Sequence, residues 1–560
     1  MNRRVVPAAV LASAFVTLLA LAGPGGAAAA RPPGPEGRPA GPSWDDMVTG
    51  RTSAADPLAP TRRAARESRA SGTPTVHHVY VSILKVTDDT GDDDWSLEDL
   101  SEANVATAIQ RISDYWSAES DGAVTFEIAG YETRSLGQDG CDWTAAYDAG
   151  EQVAFDGAAL GADWVAAHNH LLMLSQENAA CHTGGHASVG GGTVFLPNGL
   201  TDENVEYPGL PGLVHEFGHN LGFGHADSGI CRDAVKVDAP LGQFRRDDLD
   251  SQCPYKEYGD TQDIMGFSLD RAYPHLSAIS RARAGWLAGS LAAPGVGTTT
   301  VVLHPLDDAT GLRAARITDP RTGQVYVVEY RTKAGADATS IEYRGAARQE
   351  GGLFYLFPPR VGGNGDSFAR WTQDTPEATG GVRISRLLTF PPGDPRYNAY
   401  VPSYSETVTL AVGTSTSSPN VYNRNDHLDA GESFTSYSGG IKVEALALDA
   451  VNGAQVRFIV ARAPSATTLK VADVTLTTSQ RPRLTAVVSA PAATTVTGKV
   501  TVLIDRRVRY TVSLGAGGRA TFNLPAFGRA GRGKHVLSLS YVGSSQALPS
   551  ASRSVTVKVG

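Results

Sequence analysis

Eleven residues constrain this chain more than any others: His215-Glu216-Phe217-Gly218-His219-Asn220-Leu221-Gly222-Phe223-Gly224-His225. On a helix, His215 and His219 project from one face, their Cβ atoms roughly 5–6 Å apart. That separation suits two Zn–N bonds of about 2.0–2.1 Å to one ion. Glu216 follows the first histidine, which sets its carboxylate beside the ion rather than on it. There it can take a proton from metal-activated water, whose pKa falls to about 7. Gly222 stands where the helix should stop, because glycine tolerates the left-handed turn that reverses the chain. That turn would bring His225 to the same ion as a third ligand, leaving one position open, as a catalytic zinc requires.

Beyond His225 comes Tyr258-Gly259-Asp260-Thr261-Gln262-Asp263-Ile264-Met265-Gly266, with Met265 forty residues past that histidine. The chain has only four methionines, so a methionine in this turn-rich stretch is informative. Together the two segments resemble the metzincin metallopeptidases, and are most similar to the gametolysin-type peptidases and their secreted bacterial relatives. The resemblance covers about residues 76–290. It implies a zinc endopeptidase with His215, His219 and His225 as metal ligands, Glu216 as general base and Met265 as the floor under the histidines. It also implies an edge strand before the metal helix that pairs with extended substrate, for which 192–196 is the candidate. Phe267 stands where astacin- and serralysin-like enzymes place a metal-binding tyrosine, so no phenolic donor is carried over. Tyr255 and Tyr258 lie nearby, and packing in the turn is the simpler reading of each.

The fold class expected is an α/β (α+β) catalytic domain, with a mostly parallel twisted sheet and an active-site helix, followed by two all-β sandwich domains. Residues 1–30 run from Arg3 and Arg4 through an apolar stretch to small residues, the order of a secretory signal peptide. Pro7 and the alanines after the run favour cleavage over an uncleaved anchor, so a secreted, extracellular protein without a membrane span is expected. Residues 31–74, rich in Pro, Gly, Ala and Arg without apolar periodicity, read as a disordered pro-segment or linker. No cysteine precedes Cys141, so a pro-segment thiol cannot block the metal; Asp45 or Asp46 is the alternative, and a plain linker is the simpler reading.

The catalytic domain, 75–290, should open with a strand at 76–86. A helix at 96–116 follows, with Val105, Ile109, Ile112 and Trp116 on one face. Strands at 124–128 and 170–174, a helix near 145–155 and a closing helix at 276–287 complete it. The run Asp88, Asp89, Asp92, Asp93, Asp94 fits no EF-hand spacing, so Ca2+ has no support beyond acidity and a solvated loop is the default. His168, His170, His182 and His186 read as scattered hydrogen-bonded histidines rather than a second metal site. All four cysteines lie in this domain. In an exported chain an even count without CxxC spacing favours two disulfides. Of three connectivities, Cys141–Cys181 with Cys231–Cys253 closes local loops, each contributing roughly 3–4 kcal/mol in the chain-entropy model.

Short β-rich runs at 298–303, 324–330, 352–357, 406–412, 441–448 and 455–460, separated by turn residues, indicate a β-sandwich at 291–462. Residues 463–560 repeat that rhythm and suggest an immunoglobulin-like module. This last part carries 13 Lys and Arg against two acids, Asp473 and Asp505, a net of +11, so the other 462 residues hold −20 of the total −9. Such asymmetry hints at docking on an anionic polymer or cell surface, with a merely solvated surface as the plain alternative; no aromatic stacking motif argues for specific nucleic-acid recognition. The expected partners are therefore protein or peptide substrates. The rival function is a surface-binding adhesin with a vestigial zinc domain, against which the intact Glu216 speaks.

Overall fold

The computed structural model describes residues 74–86, 100–136, 146–150, 162–175, 185–196, 200, 209–229, 231, 237–246, 251–260, 262–266, 273–308, 310–340, 380–389, 405–410, 412, 427–490, 496–515 and 517–560. The chain divides into residues 1–41 and 42–560, and all described residues fall in the second unit. The leader, the pro-segment up to 73, the acidic run at 88–94, Cys141, Cys181, His182, Phe267 and the strand expected at 352–357 lie outside the described residues. The described part is mostly β, with few helices and several sheets.

The first layer is built from β1 (Thr75–Val86), α1 (Glu102–Glu119), β2 (Val124–Leu136), α2 (Ala162–Ala166), β3 (Asn169–Ser175), β4 (His186–Ala187), β5 (Thr193–Leu196) and α3 (Gly209–Asn220). Its sheet runs β2-β1-β3-β5-β4, all parallel except β4, which is antiparallel to β5. β1 lies inside this sheet, which is why Val79, Val81, Ile83 and Leu84 are all buried. α1 begins at Ser101, whose Oγ accepts from Asn104 N at 3.3 Å. Its Val105, Ile109, Ile112 and Trp116 are buried in one core with Leu213, Val214 and Phe217 of α3. Burying each such side chain stabilises by roughly 1.5–3 kcal/mol, whereas helix propensities of ordinary residues differ by under about 0.7 kcal/mol. The apolar stripe therefore decides where α1 sits.

One expectation is corrected here. The strand at 192–196 is not an edge: β5 is covered by β4 through the pairs Ala187↔Val194 and His186↔Phe195. Gly190 (φ +67) turns the chain, and Ser188 Oγ accepts from Thr193 N at 3.1 Å. Two residues before a tight reversal carry no periodicity, so the true edge had no sequence signal.

The second layer spans β6 (Ala226–Gly229), β7 (Phe244–Arg246), β8 (Cys253–Lys256), α4 (Ala278–Ala284), β9 (Leu291–Ala292), β10 (Gly297–Leu303), β11 (Ala314–Thr318), β12 (Val325–Thr332), β13 (Gly380–Thr389), β14 (Ser405–Leu410), β15 (His427–Leu428), β16 (Ser433–Thr435), β17 (Ile441–Ala447) and β18 (Ala454–Val460). One sheet runs β7-β8-β6-β14-β13-β12-β11-β9, with β15 on β13; a second runs β10-β18-β17-β16. Their inward faces share a core in which Phe244 and Tyr255 lie with Val328, Ile384, Val408, Val443 and Phe458. Composition changes at residue 291, but the sheet runs across that point: β6 pairs in parallel with β14, Ala226↔Thr407 through Gly229↔Leu410.

The third part comprises β19 (Ala466–Val471), β20 (Thr475–Leu476), β21 (Arg483–Ser489), β22 (Lys499–Ile504), β23 (Arg507–Ser513), β24 (Arg519–Asn523), β25 (Gly533–Tyr541), β26 (Ser550–Ala551) and β27 (Val555–Val559). Sheets β19-β21-β24 and β20-β27-β25-β22-β23 enclose their own core of Leu484, Val500, Val502, Leu537, Leu539 and Tyr541. Buried and exposed residues alternate along β21 and β25, as two facing sheets require.

Candidate metal centre

α3 presents His215 and His219 on one face, with Nε2 atoms 3.1 Å apart. Two Zn–N bonds of about 2.0–2.1 Å at a tetrahedral angle need a separation of roughly 3.3 Å. Gly222, at φ +96, ends the helix as expected, and the reversed chain carries His225 back to the pair. The His225 ring centroid lies 5.8 Å from that of His215 and 5.0 Å from that of His219. Ligand atoms of all three residues fall within 4.8 Å of one another.

The outward nitrogens decide how the rings are used. His215 Nδ1 donates to Ile264 O at 2.8 Å, His219 Nδ1 to Phe223 O at 2.8 Å, and His225 Nδ1 to Glu257 Oε1 at 2.7 Å. Each bond fixes a tautomer with the proton on Nδ1, leaving Nε2 as the donor atom for a metal. Burial, with His225 nearby, lowers His215 to about 3; burial, modulated by Glu406 and Arg246, lowers His225 to about 3. Burial first, then the other two histidines, takes His219 well below its usual value. All three imidazoles are thus neutral at pH 7, the ligating form. The residues present fit a zinc ion.

Glu216 is buried beside this cluster, and burial raises its carboxyl to about 8. A dication nearby would favour the carboxylate instead. Gly185 (φ +142) comes so close that an added Cβ would lie 2.9 Å from Glu216 Oε1. The β4–β5 reversal is bound to α3 as well: Gly190 N donates to His219 O at 2.7 Å, and Asn220 Nδ2 donates to Ser188 O and Thr193 O at 3.0 and 2.9 Å. Asn220 Oδ1 accepts from His170 Nδ1 at 2.8 Å, so His170 serves the helix through a hydrogen bond. His168 packs its ring 4.9 Å from that of His77, and His186 sits on β4.

Met265 is buried directly under α3: a Cβ on Gly218 would fall 2.3 Å from its Sδ. Its turn is closed by Asp263, which accepts from Met265 N at 2.8 Å and Ser277 N at 2.9 Å, and by Ala226 N donating to Met265 O at 2.9 Å. At Gly266 any Cβ would lie 1.7 Å from Asp260 O, so only glycine closes this turn. Of the two tyrosines, Tyr258 is at the centre, its ring centroid 3.8 Å from that of His225, whereas Tyr255 is buried elsewhere and donates to Glu406 Oε2 at 3.3 Å. Cys231 and Cys253 are bonded, bracketing the chain between His225 and Met265; Cys141 and Cys181 are outside the described residues.

Several residues here have no signal in motif spacing. Glu257, the His225 partner, is held by Arg246, which also reaches Glu406 Oε1 at 3.6 Å. Glu406 comes from β14, 181 positions after His225, where Thr407 N donates to His225 O at 3.0 Å. Burial, then Glu406, raises Asp227 well above the usual carboxylate range. His225, Glu257 and Glu406 also converge within ligand distance, but the Arg246 cation already compensates the two glutamates. Asp260 is gripped by Arg383 Nη2 at 2.7 Å to both oxygens and accepts from Thr409 Oγ1 at 2.8 Å. Arg331 donates to the carbonyl of Gln262. The methionine turn is therefore clasped by two arginines from β12 and β13. No protein-family model matches this chain, and no curated protein matches it.

Proposed function

We propose that this chain is a secreted zinc endopeptidase of the metzincin type, with residues 75–290 supplying the metal ligands and the later β regions, including an immunoglobulin-like module at 463–560, supporting or docking it. The observation that carries the reading is the convergence of three neutral imidazoles whose Nδ1 atoms are all hydrogen-bonded, with Glu216 buried on the same helix. A zinc held by His215, His219 and His225 would polarise a scissile carbonyl and acidify water. Glu216 takes the proton of the attacking water and returns it to the leaving amine. Among the described residues the short antiparallel strand β4 is the outermost of its sheet, the position where an extended peptide would add. Tyr258 walls the site beside His225.

Metal analysis of the purified protein alongside casein hydrolysis tests this. Glu216→Gln should keep one zinc per chain and lose activity by about 10²–10⁴-fold; His219→Ala should lose both. Substantial casein hydrolysis by Glu216→Gln would remove Glu216 as the base, and a zinc-free wild-type protein would remove the reading altogether.

A further inference from the structure

The two-residue turn between β22 and β23 is Asp505-Arg506, with φ +53 and +65 and Ile504 paired to Arg507 across it. Turns of this shape ordinarily take Asn-Gly or Asp-Gly; here a cation occupies the second position. Arg507 and Arg509 follow on the edge strand, and all three side chains are exposed. A second basic segment leads into β25, and its Arg529, Arg532 and Lys534 are all exposed.

The fold ties these segments together. Asp505 N donates to Val536 O at 2.9 Å, and the Asp505 carboxylate accepts from Val536 N at 2.9 Å and from His535 Nδ1 at 2.7 Å. His535 Nε2 reaches back to Gly531 O at 2.8 Å. One of the module's two acids is thereby engaged in holding the corner, and the other, Asp473, lies between β19 and β20. Among the described residues, no ion pair involves any of the six cations.

Six exposed cations divided between an edge strand and a neighbouring loop suit a long anion draped across them better than a small one. Arginine dominates, and its planar fork matches phosphate oxygens two at a time. The chemistry does not suit a lipid surface: residues 463–560 contain no Trp, Phe527 is stacked on His535 at 4.5 Å, and Tyr541 is buried. The exposed apolar side chains at the corner are Val508, Val536 and one aromatic, Tyr510 beside Arg509, too few to anchor an interfacial surface. We propose that this corner docks the protein on a linear phosphate polymer, gripping successive phosphates through Arg506, Arg507, Arg509, Arg529, Arg532 and Lys534. This does not depend on the peptidase reading.

The test is binding of the full chain to inorganic polyphosphate across a salt series, beside vesicles with and without anionic lipid. R506A/R507A/R509A and R529A/R532A/K534A should each weaken polyphosphate binding at least tenfold near 0.1 M salt. Each should also flatten the slope of log affinity against log salt by about 2, the counterions of three lost contacts. The control K470A/R483A/R519A removes the same charge from the opposite sheet, β19-β21-β24, and should change affinity less than threefold. Equal losses in the control would overturn a defined site in favour of diffuse charge. Failure of wild type to bind polyphosphate, or preference for anionic vesicles over it, would overturn the phosphate-polymer assignment.

Discussion

Gly218 stands between the two helix histidines, and only a hydrogen fits there: an added Cβ would lie 2.3 Å from Met265 Sδ and 3.0 Å from the Trp116 ring. Gly218→Ala should therefore cost about 1–3 kcal/mol, as overpacking in a closed core does, and should displace Met265 from beneath the histidines. Thermal melts with and without added zinc check this: the variant should melt lower and gain less from the metal than wild type. At this scale much was legible in the sequence. Histidine and glutamate spacing on a 3.6-residue helix fixes which side chains share a face, and a glycine at the stop fixes the reversal. Glu257 and Glu406 were not legible, because a hydrogen bond to Nδ1 can come from any acceptor the fold delivers and leaves no fixed spacing.

Elements tell a different story. β13 escaped the sequence reading although it lies between β12 and β14 near the middle of its sheet. Its Arg383 and Arg386 are fully buried, and two charged residues within ten weaken the apolar pattern that marks a central strand. They are tolerated because each is paired: Arg383 with Asp260, and Arg386 Nη1 with Asp238 Oδ1 at 2.6 Å. Arg383→Ala would strand Asp260 as an unpaired buried charge next to the methionine turn, a loss of about 3–5 kcal/mol. Urea unfolding should register that loss, and zinc titration should show weakened affinity, with Arg383→Lys recovering part of both. At the far end of α1, Glu119 receives His275 Nδ1 at 2.7 Å, Leu276 N at 2.9 Å and Arg281 Nη2 at 2.7 Å. Burial alone would raise this carboxyl, but Arg281 and then His275 bring it from 4.5 to about 2. Its contribution, on the order of 3 kcal/mol, is complete above about pH 4.5 and lost as pH falls toward 2. His275 runs the opposite way: burial would lower it, Glu119 and Asp337 raise it, and its share is present below 6.5 and fades as pH rises through its folded value. Urea unfolding at a series of pH values should show the acid loss in wild type and a flatter, lower curve in Glu119→Gln.

At the scale of the whole molecule, the first two layers depend on each other. His225 O is bound by Thr407 N, β6 leans on β14, and the methionine turn is held from β12 and β13. A chain ending at residue 290 should therefore fail to fold or to retain zinc, whereas one ending at 462 should do both, since residues 463–560 keep a separate core. Far-UV circular dichroism and zinc content of the two truncated proteins decide this. Composition marked residue 291 as a border because the helices stop there; sheet pairing is non-local and takes no notice of where a compositional change falls.

The pairing of Ala226 with Thr407 also imposes a timetable. A ribosome finishes both helix histidines long before it reaches the strand that seats the third. Until about 180 more residues have emerged, the nascent polypeptide holds all three ligands but lacks the strand that seats His225. A degradative activity of the kind inferred would stay latent until that strand has emerged, without any inhibitor.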